Sequence, residues 1–138
     1  MLKLIIGVKG TGKTKTIIAM ANKAVEESHG SVVFVEKGTK LIHEVNYQAR
    51  LIDSDDYAVN NAESLYGFMA GIYASNHDVT HVFVDSALKI CGEDMNQFAG
   101  FVKRTAALGE ANGIEFIMTS SIPVDEIPEE LQKYVYSI

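Results

Sequence analysis

The residues best suited to chemistry lie near the start of the chain, where Gly7, Val8, Lys9, Gly10, Thr11, Gly12, Lys13 and Thr14 read GVKGTGKT. Their spacing is G-x-x-x-x-G-K-[ST], a pattern with a defined physical use. Glycines let a loop turn its backbone N–H groups inward around an anion, with no side chain in the way. A helix beginning where the loop ends adds unpaired N–H groups and the positive end of its dipole. Lys13 then reaches the β- and γ-phosphates of a nucleoside triphosphate, and the Thr14 hydroxyl ligates magnesium. The expected binding segment is Gly7 to Lys15. Average residue frequencies give such a match by chance in roughly one of two hundred chains this long, so the phosphate reading outweighs an incidental glycine-rich turn.

Such a loop needs a carboxylate at the end of a neighbouring strand to hold magnesium through its waters. His81-Val82-Phe83-Val84-Asp85 supplies one, an apolar run ending in Asp, which makes Asp85 and Thr14 the candidate metal residues. Asp53, after Leu51-Ile52, is the rival. Many ATP hydrolases place Glu directly after the magnesium aspartate, but here Ser86 follows. Glu36 is the remaining candidate to polarise water; a plain strand-end charge is the other reading of it. Thr119, Ser120 and Ser121 close a later strand, where a polar side chain either senses the γ-phosphate or makes an ordinary turn. His29, His43, His77 and His81 lack the i, i+4 spacing of a helical metal site. Cys91 has no His-plus-acid arrangement to activate it and reads as a packed residue. The acidic run Asp53 to Tyr57 reads as a solvated loop that caps a helix.

The elements that must position these groups alternate. Leu2 to Ile6, Val32 to Val35, Arg50 to Asp53, His81 to Asp85 and Ile114 to Thr119 read as five strands. Between them, helical periodicity runs from Lys13 to a stop at Gly30, from Asn60 or Asn61 along Leu65, Met69 and Ile72, and from Met95 to just before Gly113. The polar stretch Lys37 to Ala49 reads as a loop with a short turn of helix, and Glu129 to Val135 as a last short helix. Apolar strands alternating with helices predict a three-layer α/β domain, one unit over residues 1–138, with about five mainly parallel strands covered on both faces.

Composition narrows the partners. The net charge of −6 over 138 residues argues against autonomous nucleic-acid binding. No apolar run approaches the ~18 residues of a membrane span, and the N-terminal run is too short for a signal peptide, so a cytoplasmic protein is expected. A single cysteine excludes an internal disulfide. Only Arg50 and Arg104 are arginines, whereas nucleotide kinases clamp two phosphate chains with several. No [NT]-K-x-D guanine motif occurs, because Asn22-Lys23-Ala24 is followed by Val25, and ATP is the expected nucleotide.

In four places, GVKGTGKT, VVFVE ending at Glu36, HVFVD ending at Asp85, and IEFIMTS, the chain resembles P-loop NTPases with a RecA-like core. It is also similar to a group of small clostridial and related Firmicutes proteins, some labelled as the twitching-motility ATPase, whose acidic and histidine boxes it lacks. The RecA resemblance implies that Glu36 is the catalytic glutamate and Ser120 the polar residue after the magnesium strand, where glutamine is usual. It also implies that the fifth strand lies between the first and fourth, with the second beyond the fourth. The expected function is Walker A binding of magnesium ATP with slow hydrolysis, involving Lys13, Glu36 and Ser120, with a homo-oligomer or protein partner possible. A non-enzymatic, nucleotide-switched module for a protein partner is the alternative, with a small-molecule kinase behind both.

Overall fold

In the computed structural model, which describes residues 1–137, five parallel strands form one sheet. They are β1 (Leu2–Ile6), β2 (Ser31–Glu36), β3 (Arg50–Asp53), β4 (Val79–Val84) and β5 (Glu115–Ser120). Their order is β1-β5-β4-β2-β3, which puts the fifth strand between the first and fourth and the second beyond the fourth. The helices are α1 (Lys13–Glu27), α2 (Ala62–Ser75), α3 (Ala87–Ile90) and α4 (Met95–Asn112). Short 3₁₀ turns occupy Ser54–Tyr57, Val124–Glu126 and Glu129–Tyr134.

Alternation along each strand builds two cores from one sheet. Leu4 and Ile6, Val33 and Val35, Val82 and Val84, Phe116 and Met118 face α2 and α4, where Leu65, Met69, Phe98 and Val102 meet them. The intervening Ile5, Phe34, Phe83 and Ile117 face α1 and pack on Ile17, Ala21 and Ala24. This is the arrangement that apolar, non-alternating strand sequences require, because both faces of the sheet are covered.

Helix ends follow local chemistry. Asn61 caps α2 by accepting from Ser64 N, and Ser64 returns a bond to the cap backbone. Asp94 accepts from Gln97 N at the start of α4, and Gly113 ends that helix at φ 69°. Gly30 does something other than stop α1, which already ends at Glu27 with Ser28 in extended geometry. A Cβ on Gly30 would lie 2.1 Å from the Asp78 carbonyl oxygen, so this glycine permits close backbone approach rather than a left-handed cap. The short α3 has no counterpart in the sequence periodicity; four residues are too few to show one. At the outer side of β1, Val135 bridges Leu4 in parallel and Tyr136 N donates to Leu4 O at 2.9 Å.

Candidate functional site

The loop from Gly7 to Gly12 joins the end of β1 to the start of α1. Gly12 occupies the N-cap position of α1 at φ 86° and ψ 15°, left-handed backbone that favours glycine. Gly7 must also be bare, since a Cβ there would meet Thr11 Oγ1 at 2.8 Å. That hydroxyl donates to Val8 O at 2.8 Å and closes the loop on itself.

Lys13 is buried to 8% exposure, yet its ammonium touches only neutral groups, donating to Val8 O at 2.9 Å and to Thr11 Oγ1 at 3.5 Å. Burial pulls its pKa below the ordinary lysine value, and the charge of Asp85 partly opposes this. A buried ammonium with no anion in direct contact marks a place where an anionic ligand is favoured.

Asp85 follows β4, and its backbone N–H still donates to Val35 O at 2.9 Å, which fixes it at the carboxyl edge of the sheet. Its Oδ1 accepts from Thr14 Oγ1 at 3.3 Å and from Thr119 Oγ1 at 2.8 Å. Thr119 Oγ1 in turn accepts from Ser86 N at 2.8 Å. Ser86 itself sits at φ 62° and ψ 50°, a left-handed conformation uncommon for a non-glycine residue.

Glu36 ends β2 and is only 3% exposed. Its Oε2 accepts from Leu41 N at 3.0 Å. Burial raises its pKa above the ordinary carboxyl value; hydrogen bonds from the Leu41 and Lys40 backbone oppose the rise, and the charges of Asp85 and Asp53 add to it.

These groups share one cavity of about 540 Å³, lined by Gly10, Gly12, Lys13, Thr14, Lys15, Glu36, Asp85 and Thr119 among others. The structure thus brings together Lys13, Thr14, Asp85 and Glu36 from three separate stretches of sequence. Ser120 is not among the lining residues. Its hydroxyl accepts from Leu88 N at 3.1 Å and donates to Thr119 O at 2.7 Å, and the side chain is 1% exposed. Side chains alternate along β5, so Thr119 and Ser121 line the cavity and Ser120 points to the other face. Asp53 serves elsewhere: its Oδ1 accepts from Gly38 N at 2.8 Å and from Asp55 N at 2.9 Å, capping the turn that follows β3.

Sequence reasoning missed Lys37, Lys40 and Lys89, which also line the cavity. The signal for the first two was their position just after Glu36. Cys91 is packed, and burial pushes its thiol up to about 12. The His81 ring stacks with Phe83, far along the strand from Asp85, and burial lowers its pKa despite the nearby Glu115. Arg104 lies 3.9 Å over the Tyr66 ring and donates to Glu63 Oε1 at 2.8 Å.

Neither a family model nor a curated protein matches this chain. Solved structures do match. A KaiC-like protein from the hyperthermophilic archaeon Pyrococcus horikoshii superposes with a TM-score of 0.70 at 17% identity, over 96% of this chain. The fold is RecA-like. The flagellar accessory protein FlaH from Methanocaldococcus jannaschii shares this RecA-like arrangement, with a TM-score of 0.59 at 18% identity over 96% of this chain. The chain spans 66% of the first protein's length and 65% of the second's. No helix among the described residues is long and apolar enough to cross a membrane.

Proposed function

We propose that this chain binds magnesium ATP over Gly7–Lys15 and hydrolyses it slowly. The observation that carries this reading is the meeting of Lys13, Thr14, Asp85 and Glu36 on one cavity at the carboxyl edge of a RecA-like sheet. Backbone N–H groups of the loop and of the α1 N-terminus cradle the phosphates, and the Lys13 ammonium exchanges its carbonyl partner for phosphate oxygens. The Thr14 hydroxyl and the Asp85 carboxylate, 3.3 Å apart, are hard oxygen donors of the kind magnesium prefers. Magnesium bound there would offset the negative charge of the phosphate chain.

In this reading Glu36 accepts a proton from water as that water attacks the γ-phosphorus; the bond to the ADP oxygen breaks, releasing ADP and inorganic phosphate. Burial raises its pKa, which makes its carboxylate a stronger base. Slow turnover follows from what the cavity lacks. The residue after Asp85 is Ser86 rather than a glutamate. Arg104 is engaged with Glu63 and Tyr66, and Arg50 opens β3 at the end of the sheet away from the nucleotide edge. The rate of the isolated chain should fall well below the ~10 s⁻¹ of a median enzyme. A second copy or another protein that adds an arginine would raise it.

The test is ligand-induced stabilisation. Magnesium ATP at a hundred times its Kd should add about 2.7 kcal/mol, raising the melting temperature by on the order of 10 °C. Lys13→Ala should abolish the rise while leaving the unliganded melting point near that of the parent. An undiminished rise in Lys13→Ala would remove the phosphate-loop assignment.

A further inference from the structure

The cavity is cationic in an anionic protein. Six lysines line it against three carboxylates, although the whole chain carries −6. Lys9, Lys13 and Lys15 belong to the phosphate loop and its helix; Lys37, Lys40 and Lys89 come from elsewhere. Lys37 is already paired with Asp55 Oδ1 at 2.7 Å. Lys89 rides on the four-residue α3 behind the left-handed Ser86. Lys40 is exposed and lines the cavity, and among the described residues its ammonium has no ion pair.

The loop that carries Lys40 is fixed on both sides. Upstream, Gly38 N donates to Asp53 Oδ1 at 2.8 Å. Immediately downstream, Leu41 N donates to Glu36 Oε2 at 3.0 Å. Further on, Asn22 of α1 clamps the loop twice, accepting from Asn46 N at 2.7 Å and donating to Glu44 O at 3.0 Å. Leu41, Val45 and Ala49 are buried in the core beneath α1. A flexible surface lysine gains little from meeting a charge, but one carried on ordered backbone loses less freedom when it does.

We propose that Lys40 is a second phosphate-contacting cation of this site, reaching the terminal phosphate, and that Glu36 positions it by holding Leu41 N. The inference rests on the ATP reading. Its direction comes from the sheet order: the phosphate loop rises from β1, Asp85 stands two strands away after β4, and Glu36 one strand further at the end of β2. Lys40 directly precedes the Leu41 that Glu36 holds and lines the cavity on that far side, on which the ATP reading puts the last phosphate of the chain. ADP lacks this phosphate, so Lys40 discriminates ATP from ADP rather than tightening both.

Titration calorimetry with magnesium ATP and magnesium ADP on the full chain tests this. Lys40→Gln should weaken ATP binding on the order of 10-fold, the effect of losing one charge-assisted contact, with ADP affinity unchanged. Lys40→Arg should keep the preference. Glu36→Ala should lose the preference as Lys40→Gln does. Glu36→Gln should keep it, because the amide oxygen still accepts from Leu41 N, while hydrolysis falls. A wild-type preference for ATP in Lys40→Gln overturns the contact, and equal loss in Glu36→Gln and Glu36→Ala overturns the positioning role. A parent chain that binds neither nucleotide overturns the ATP reading, and this inference with it.

Discussion

The two faces of the sheet are unequally built. The α2–α4 face gathers twenty-six buried apolar residues among those described, and the α1 face gathers eleven. Three of the eleven, Leu41, Val45 and Ala49, come from the irregular segment between β2 and β3 rather than from a helix. The thicker face therefore supplies most of the burial that holds the strands in register. The thinner face combines one helix and one pinned loop, and both of them begin at the cavity. Most of the apolar burial thus lies on one side of the sheet, while α1 and the pinned loop border the cavity from the other.

The largest effect should come from breaking the thick face. Phe98 is 0% exposed, and Phe98→Ala should cost about 3–5 kcal/mol, read as a lower urea midpoint. The folded fraction should still prefer ATP to ADP. Leu41→Ala on the thin face should cost nearer 2 kcal/mol, the low end for such truncations, but should erode that preference. If Phe98→Ala erodes it as much as Leu41→Ala, the division between the faces fails.

A second comparison separates the two aspartates at the carboxyl edge. Asp85→Asn should weaken binding of magnesium ATP by about 10–100-fold, the usual scale for losing a group that orients bound metal, with much less effect on metal-free ATP. Asp53→Asn should change neither, because its role is to accept from Gly38 N and Asp55 N, and an amide oxygen does that too. The opposite ranking in metal titrations would transfer the metal site to β3.

The smallest effect is electrostatic. Because the folded protein raises the Glu36 pKa, it binds that proton more readily than the unfolded chain. Stability from this group is therefore present below the ordinary value of 4.5 and is lost as pH rises through the folded value. Glu36→Gln removes the loss. Its stability relative to the parent should grow with pH across that window and then level off. A difference that stays constant with pH in urea titrations would mean that Glu36 is not strained by burial.

Much of the fold was legible in the sequence. The loop from Gly7 and the helix it opens at Lys13 could be read because loop and helix start are contiguous in sequence. The place of Glu36 and Asp85 at the carboxyl edge could be read because each ends an apolar run. Choosing between Thr119 and Ser120 required the phase of β5 relative to the cavity, and one residue of register exchanges the faces. The segment Lys37–Ala49 was opaque because its order comes from distant partners, the carboxylates of Glu36 and Asp53 and the amide of Asn22. Gly30 misled for a related reason, since its constraint is the Asp78 carbonyl on the next connection rather than its own helix.

The bridge between Val135 and Leu4 bears on how this protein behaves in a crowded solution. A parallel sheet has two outer rims, each a template for a foreign strand. Here the β1 rim is occupied by the chain's own Val135 and Tyr136. The other rim is β3, four residues long, opened by Arg50 and closed by Asp53. Short rims with charged ends discourage edge-to-edge aggregation. The molecule can thus leave the carboxyl edge of its sheet, where the cavity lies, open to solvent while offering little purchase for fibrous growth at either side of the sheet.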